Sequence, residues 1–207
     1  TGLIAYRAGA GSQRQLVWVD RSGAVLGTFG DPVSDPVTTP NVSRDGRMVV
    51  WARGIQGNRD LWQLDGVRTN RLTFDAGRDD FPILSPDGSA VAFRSNRLGR
   101  GDLFRKVIGS AAEEELLATS DQSKSATSWS ADGRYLMYAS IDPESTSDLW
   151  VLAMQDPTPW PFLKTPFREA YGVFSPDGRW VAYHSNESGR PEVYVLPFVP
   201  PGSSQPA

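Results

Sequence analysis

The chain repeats one pattern of apolar and polar positions. Four stretches each open with four consecutive apolar side chains and end in a polar or charged one: Met48–Arg53, Ala90–Ser95, Tyr135–Ser140 and Trp180–Ser185. Short apolar runs bounded by turn residues predict β-strands. Because neighbouring residues of a strand point to opposite faces of its sheet, an unbroken apolar run predicts a sheet that is buried on both faces.

A four-residue turn, Ser-x-Asp-Gly, precedes each of these strands. The four copies are spaced 42, 45 and 45 residues apart, which is the period of β-propeller blades, roughly 40–50 residues. Ser, Pro, Asp and Gly suit successive positions of a type I turn, so each copy predicts a hairpin. The residues predicted to be structural in these turns are Ser43, Asp45, Gly46, Ser85, Asp87, Gly88, Ser130, Asp132, Gly133, Ser175, Asp177 and Gly178.

Two further strands follow in each repeat. An acidic residue followed by two apolar ones marks the third strand, at Asp60-Leu61-Trp62, Asp102-Leu103-Phe104, Asp148-Leu149-Trp150 and Glu192-Val193-Tyr194. A fourth strand is predicted at Arg71–Phe74, Leu116–Thr119 and Phe162–Thr165. Four strands in each repeat predict an all-β fold, a β-propeller of about five four-stranded antiparallel blades.

The first and last repeats are incomplete in this pattern. The first has strands at 3–7, 15–20 and 24–29 and lacks an initial strand, whereas the last has strands at 171–174, 180–185 and 192–198 and lacks a fourth. The predicted units are therefore 3–35, 36–80, 81–125, 126–170 and 171–198. The Pro- and Ser-rich residues 199–207 are predicted to form a flexible tail.

Two interpretations explain the incomplete units. The sequence is either a segment of a larger propeller, which we favour, or a small ring that closes by sharing strands between its ends. A ring without one inner strand would expose backbone polar groups in its channel, which is the reason for the preference. Open blade ends would be apolar and would allow self-association.

Composition removes several functional classes. The net charge is −3 with both signs interleaved, whereas nucleic-acid binding requires a basic stripe. The chain has no Cys, so disulfides and thiolate metal sites are excluded. Its apolar runs are too short to cross a bilayer, so no direct membrane insertion by this segment is expected.

The repeat resembles a known family. Residues 85–97 (SPDGSAVAFRSNR) and 175–187 (SPDGRWVAYHSNE) look like the WD-like propeller repeat of the TolB family, and the resemblance covers residues 3–198. A finer similarity, carried by 72–75, 113–117 and 185–194, is to the C-terminal propellers of bacterial receptor-like serine/threonine kinases.

The finer similarity implies an extracytoplasmic sensor module, placed in the periplasm or at the cell surface of a bacterium behind a kinase domain and a membrane span. Two alternatives stay open. One is a periplasmic TolB-like scaffold for envelope proteins. The other is the gating propeller of a serine peptidase whose catalytic domain lies outside this chain.

Motifs for catalysis are missing from the sequence. It has no Gly-x-Ser-x-Gly elbow, and the single histidine, His184, cannot form a multi-histidine metal site. We therefore predict no catalytic, cofactor-binding or metal-binding residues and no enzyme activity. An enzyme in the propeller channel is disfavoured because the first strands offer Val42, Leu84, Trp129 and Phe174, a poor acid–base set.

Function in a propeller is expected on one rim. The loops between second and third strands share a face with the connections between blades, and their residues vary from unit to unit. This variation indicates freedom from folding constraints, either in a solvated mixed-charge surface or in a site for a protein or peptide partner. The candidate partner-binding residues are Arg78, Asp79, Asp80, Arg97, Arg100, Lys124, Arg168, Glu169, Tyr171, Glu187 and Arg190.

Overall fold

The computed structural model describes the backbone of residues 4–8 and all of residues 13–66, 68–142 and 146–201. These residues form eighteen strands, β1 to β18, and no helix. Of the predicted segments, Leu3 and residues 202–207 of the tail lie outside the described residues.

The strands group into five antiparallel sheets. Blade 1 contains β1 (Ile4–Ala8), β2 (Arg14–Val19) and β3 (Val25–Val33). Blade 2 contains β4 (Val37–Val42), β5 (Met48–Ile55), β6 (Asn58–Asp65) and β7 (Arg68–Arg71). Blade 3 contains β8 (Asp79–Leu84), β9 (Ala90–Ser95), β10 (Asp102–Val107) and β11 (Glu115–Ala118). Blade 4 contains β12 (Ser123–Trp129), β13 (Tyr135–Ile141), β14 (Ser147–Ala153) and β15 (Pro159–Leu163), and blade 5 contains β16 (Glu169–Phe174), β17 (Trp180–Ser185) and β18 (Glu192–Pro197).

Strand order within each sheet follows chain order, so every blade is a meander. The first strands β4, β8, β12 and β16 contact one another in succession, which places them around the axis. Hydrogen bonds join them directly, because the Leu84 amide donates to Asn41 Oδ1 at 3.0 Å and the Phe174 amide donates to Ser128 Oγ at 3.2 Å. The predicted all-β propeller, with four-stranded inner blades and three-stranded end blades, is confirmed.

Adjacent blades bury their faces against each other. In β5, Val49 packs with the apolar residues of blade 1, whereas the next residue, Val50, packs with those of blade 3. In β9, Val91 likewise faces blade 2 and Ala92 faces blade 4. This alternation explains the unbroken apolar runs, since each inner sheet lies between two others and needs apolar side chains on both faces.

Two predicted fourth strands lie elsewhere. That of blade 4 is Pro159–Leu163 rather than 162–165, with which it shares two residues. The fourth strand of blade 2 is Arg68–Arg71 rather than Arg71–Phe74, so that prediction was wrong beyond its first residue. Thr73 is fully buried, and its hydroxyl, instead of a backbone carbonyl, accepts a hydrogen bond from the Leu61 amide at 3.0 Å. At this point a side-chain hydroxyl therefore takes the place of a backbone carbonyl as the hydrogen-bond acceptor. The pattern of apolar residues does not reveal this substitution.

The same pattern of hydrogen bonds recurs in each of the four Ser-x-Asp-Gly turns. In the turn that begins at Ser85, the Ser85 hydroxyl donates to Asp87 Oδ1 at 2.6 Å and accepts from the Ala90 amide at 2.9 Å. The Gly88 amide donates to the Ser85 carbonyl at 2.9 Å, which closes the turn. Gly88 has a φ of 71°, a left-handed conformation that is unfavourable for residues with a Cβ atom.

These bonds hold the turn aspartates in the ionised form. The hydroxyl of Ser175 and the amide of Arg179 hydrogen bond to Asp177 and lower the pKa of its carboxyl to about 2. The hydroxyl of Ser43 has the same effect on the pKa of Asp45, with a downward shift. The repeated aspartates thus act within their own turns.

Among the described residues, no helix is long and apolar enough to cross a membrane.

Candidate binding site at the mouth of the channel

The predicted rim residues lie at the end of the propeller opposite the Ser-x-Asp-Gly turns. We call this end the loop face and define it by the loops between second and third strands, 56–57, 96–101 and 186–191, and the connections between blades, 72–78, 119–122 and 164–168. Six of the predicted residues are exposed there, namely Arg78, Arg100, Arg168, Tyr171, Glu187 and Arg190. Arg97 is partly buried.

The remaining four predicted residues are buried. Asp79, Asp80, Lys124 and Glu169 are each at most 3% exposed, so the expectation that the rim is free of folding constraints is wrong for them. Asp79, Lys124 and Glu169 occupy equivalent places, six residues before the turn serine of their blades. Each is the start, or next to the start, of a first strand, where the neighbouring blades cover its side chain.

Burial sets the ionisation of these three groups. It raises the pKa of the Asp79 carboxyl, although the hydroxyls of Ser95 and Thr73 oppose the shift. Burial also raises the pKa of Glu169 and lowers that of Lys124. All three shifts disfavour the charged form, as expected for groups removed from water.

Lys124 and Glu169 are nevertheless held by hydrogen bonds. Lys124 Nζ donates to Ser120 Oγ at 2.6 Å and to the Gln122 carbonyl at 2.8 Å. The Thr165 hydroxyl donates to Glu169 Oε1, whereas Oε2 has no hydrogen-bond partner among the described residues. These contacts lie within the connections between blades, so both side chains serve to tie one blade to the next.

The first strands carry an irregularity that the sequence pattern did not predict. Register shifts interrupt the pairing of first and second strands near Thr39, Phe81 and Tyr171. These residues have φ values of 49°, 53° and 56° and lie four residues before their turn serines. A left-handed conformation costs a non-glycine residue roughly 1–2 kcal/mol, and residues held in this way cluster at binding and active sites.

Phe81 and Tyr171 line a cavity at the loop-face end of the channel. The cavity has a volume of about 570 Å³, within the usual range for ligand sites. Tyr171 is 67% exposed and Phe81 36%, and exposed aromatic side chains are typical anchors of protein interfaces. Other residues that line the cavity are Ser125, Ala126, Ile141, Arg168 and Val173.

Charged and aromatic groups surround these two side chains. The Arg94 guanidinium lies 4.7 Å from the centre of the Phe81 ring, a cation–π contact. The Tyr171 ring meets His184 edge to face at 6.2 Å. The site therefore combines apolar surface with positive charge at its edge, supplied by Arg94 and the exposed Arg168.

Other concave surfaces are less suited to specific binding. A larger cavity of about 880 Å³ lies at the opposite end and is lined mainly by two of the repeated turns, around Asp45 and Asp87. Both of those carboxylates already accept hydrogen bonds inside their own turns. Within the described part of the chain, no three acidic or histidine side chains gather to form a metal-binding group.

Sequence reasoning found Tyr171 but missed Phe81 and Arg94. A usable signal was present, because Phe81 and Tyr171 stand at the same distance from their turn serines, Ser85 and Ser175. An aromatic residue at that place in two repeats could have indicated a shared position at the axis. No comparable signal marks Arg94, which lies on the second strand β9.

Four-stranded antiparallel sheets stacked around an axial cavity define the chain as a β-propeller. No family model matches it. Over 160 residues it is 27% identical to the Tol-Pal system protein TolB of Francisella tularensis, a match that covers 75% of this chain and 36% of that protein. The crystal structure of TolB from Acinetobacter baumannii superimposes with a TM-score of 0.75 at 22% identity, and covers 94% of this chain and 49% of that one. The propeller is similar in sequence and in fold to those of the TolB proteins.

A second kind of relative is a protease homolog. Over 97 residues the chain is 29% identical to Tricorn protease homolog 1 of Streptomyces coelicolor, which corresponds to 46% of this chain and 9% of that protein. The chain thus spans about a third of the length of the TolB relative and a small part of the protease homolog. These similarities support the propeller architecture, and they leave the function to be argued from the site.

Proposed function

We propose that this propeller is a non-catalytic module that binds a protein or peptide partner at the loop-face mouth of its channel. The observation that carries the proposal is the pair Phe81 and Tyr171. Both are exposed aromatic residues with left-handed backbone, and both line the same cavity. Backbone strain that brings two aromatic side chains into one cavity is consistent with a binding role, because burial of large aromatic rings dominates interface energetics.

The chemistry of the cavity supports binding rather than turnover. Its described lining contains one carboxylate, that of Asp142, and no histidine. Nucleophilic or acid–base catalysis would need a base within hydrogen-bond reach of a nucleophile or of a second titratable group. Incubation of the chain with peptide, glycoside and ester substrates should accordingly release no product above a buffer control.

The biological setting we propose is the extracytoplasmic part of a bacterial receptor serine/threonine kinase. Its support is the similarity of residues 72–75, 113–117 and 185–194 to the propellers of such proteins. A reading frame that places a kinase domain and a membrane span before the propeller would agree with this setting. A reading frame with a signal peptide and a small α/β domain would favour an envelope scaffold. A reading frame with a downstream hydrolase domain would favour the gating propeller of a peptidase.

Peptide selection tests the binding role. Random peptides displayed on phage are selected against the wild-type chain, and the recovered peptides are titrated by fluorescence anisotropy against Tyr171→Ala and Phe74→Ala. Phe74 is the matched control because it is 69% exposed, as Tyr171 is at 67%, but does not line the cavity.

Loss of an interface aromatic should weaken binding at least about tenfold in Tyr171→Ala, with little change in Phe74→Ala. Selected peptides that bind both variants as tightly as the wild type would place binding outside the cavity and contradict the proposal. So would a selection that recovers no peptide.

A further inference from the structure

Three arginines surround one buried carboxylate at the edge of the cavity. Arg59 Nη1 lies 2.6 Å from Asp80 Oδ1, while Arg78 Nε and Arg94 Nη2 lie 2.7 Å and 3.1 Å from Asp80 Oδ2. Arg59 comes from β6 of blade 2, Arg94 from β9 of blade 3, and Arg78 from the connection between the two blades. We call Arg59, Arg78 and Arg94 the arginine cluster.

Asp80 neutralises only one of the three charges. Its side chain is 1% exposed, and burial raises its pKa. The hydrogen bond from Arg59 and the charges of all three arginines outweigh that effect and hold the pKa below its ordinary value. Asp80 is therefore ionised, and three positive charges minus one leave a net charge of +2. Among the described residues, no second carboxylate forms an ion pair with any of the three arginines.

The cluster keeps unused hydrogen-bond donors at the surface. A guanidinium has five N–H groups arranged in a fixed fork, and each arginine directs one hydrogen bond to Asp80. The Arg78 side chain is 50% exposed, and those of Arg59 and Arg94 are each 23% exposed. Asp80 thus holds the three guanidiniums side by side, and their other N–H groups remain available to a ligand.

An ion pair needed only for stability would be satisfied by one arginine. Elsewhere in the chain, Arg53 pairs with Asp35 and Arg134 with Asp132 in simple two-residue bridges. Crowding two extra positive charges around Asp80 adds repulsion between like charges, and this repulsion is relieved when an anion binds. Guanidinium forks match carboxylates by paired hydrogen bonds, which gives the chemistry of that anion.

We propose that the arginine cluster binds a carboxylate of an acidic segment in the protein partner, while an adjoining apolar residue of that segment enters the cavity. Arg94 connects the two parts, because its guanidinium contacts both Asp80 and the ring of Phe81. The inference rests on the proposed function, since it is the protein-binding role of the cavity that assigns the carboxylate to an Asp or Glu side chain or to a C-terminus.

Replacement of two arginines by uncharged glutamine tests the cluster. In Arg59→Gln/Arg78→Gln, Arg94 remains to pair with Asp80, so no buried charge is left alone. The matched control is Arg134→Gln/Arg179→Gln, which removes the same charge from two exposed arginines in the turns at the opposite end. The probe is a fluorescein-labelled peptide in which Glu alternates with Leu, compared with the same peptide carrying Gln in place of Glu.

Anisotropy titrations at low salt should show the Glu peptide binding equally to the wild type and to the control variant, and about tenfold more weakly to the cluster variant. The Gln peptide should bind the wild type as weakly as the Glu peptide binds the cluster variant. Added salt should reduce the affinity of the wild type for the Glu peptide more steeply than that of the cluster variant, because fewer ion pairs form in the variant.

Several results would overturn the inference. Equal losses in the cluster and control variants would indicate a general effect of net charge, and equal affinities for the Glu and Gln peptides would remove the role of the carboxylate. Binding of inorganic phosphate or oligogalacturonate to the cluster, with no binding of the Glu peptide, would assign another anion. If Tyr171→Ala abolishes peptide binding and the cluster variant does not, the proposed function stands and this inference fails; if no peptide binds the wild type, both fail.

Discussion

The turn at Ser85 provides a quantitative test of how the repeat is stabilised. Replacing Ser85 with Ala removes the hydroxyl that donates to Asp87 Oδ1 at 2.6 Å and accepts from the Ala90 amide at 2.9 Å. Ser85 and Ala90 are each only 7% exposed, so water cannot readily replace the lost acceptor. The Ala90 amide is then left without a partner in the folded state.

The expected cost follows from these two bonds. Each hydrogen bond contributes about 1 kcal/mol net, and a buried donor without an acceptor costs about 1–3 kcal/mol. We therefore expect Ser85→Ala to lower the free energy of unfolding by about 2–3 kcal/mol. For a chain of this size, each kcal/mol lowers the melting temperature by about 2–4 °C, which gives a decrease of roughly 4–12 °C.

Ser43 is the matched control. Its hydroxyl makes the same two bonds, to Asp45 Oδ1 at 2.6 Å and from the Met48 amide at 2.9 Å, but Ser43 is only partly buried. Water can therefore take the place of the hydroxyl, and Ser43→Ala should cost about 1 kcal/mol or less. Sequence alone would predict equal costs, since the two turns share one motif.

Urea unfolding of both variants measures the difference. Tryptophan fluorescence and far-ultraviolet circular dichroism should give coincident transitions, with a midpoint shift at constant slope reporting the change in stability. Equal costs for Ser43→Ala and Ser85→Ala would refute the argument from burial. A cost below about 0.5 kcal/mol at Ser85 would show that the hydroxyl does not hold the hairpin.

Two further predictions concern β16, the first strand of blade 5. A Cβ on Gly172 would lie 2.3 Å from Met137 Sδ and 3.0 Å from Leu149 Cδ1, and both of these side chains are fully buried. Gly172→Ala should therefore lower the free energy of unfolding, measured in urea, by about 1–3 kcal/mol. In the control variant Gly27→Ala, the new Cβ meets no heavy atom within 4 Å, so stability should change by less than about 0.5 kcal/mol. Similar costs for the two variants would contradict the packing argument. Burial raises the pKa of Glu169 in the folded state, so ionisation destabilises the fold as pH rises from the unfolded pKa of about 4.3 through the folded one. Glu169→Gln should then be more stable than the wild type at neutral pH and equal to it below about pH 4, as measured by thermal unfolding across pH; an advantage that is the same at every pH would contradict this.

The turns and second strands were predictable because their determinants are local. Ser85, Asp87 and Gly88 form their bonds within six residues of chain, and the predicted strand Ala90–Ser95 coincides with β9. The fourth strand of blade 2 was misplaced because Thr73 supplies a side-chain acceptor to the backbone of the strand beside it. Such a substitution depends on the position of one hydroxyl and leaves no trace in hydropathy.

The rim was only partly predictable for a related reason. The loops were placed on the correct face, yet Asp79, Asp80, Lys124 and Glu169 are buried. Charged residues near loops normally predict exposure, and that rule fails where neighbouring blades cover the start of a first strand. Variation among repeats reflected different solutions to the same burial problem at these positions, rather than freedom from folding constraints.

The sequence by itself determined the repeat, the strands and the burial of both faces of each inner sheet, because turn chemistry and apolar runs act over a few neighbouring residues. Only the tertiary structure decided the sites. Register shifts in the first strands direct the side chains of Phe81 and Tyr171 into one cavity. Contact between blades brings Arg59 to Asp80, which lies 21 positions away in the chain. Both arrangements depend on how one blade is seated against the next, and that relation is set by packing over the whole interface between them.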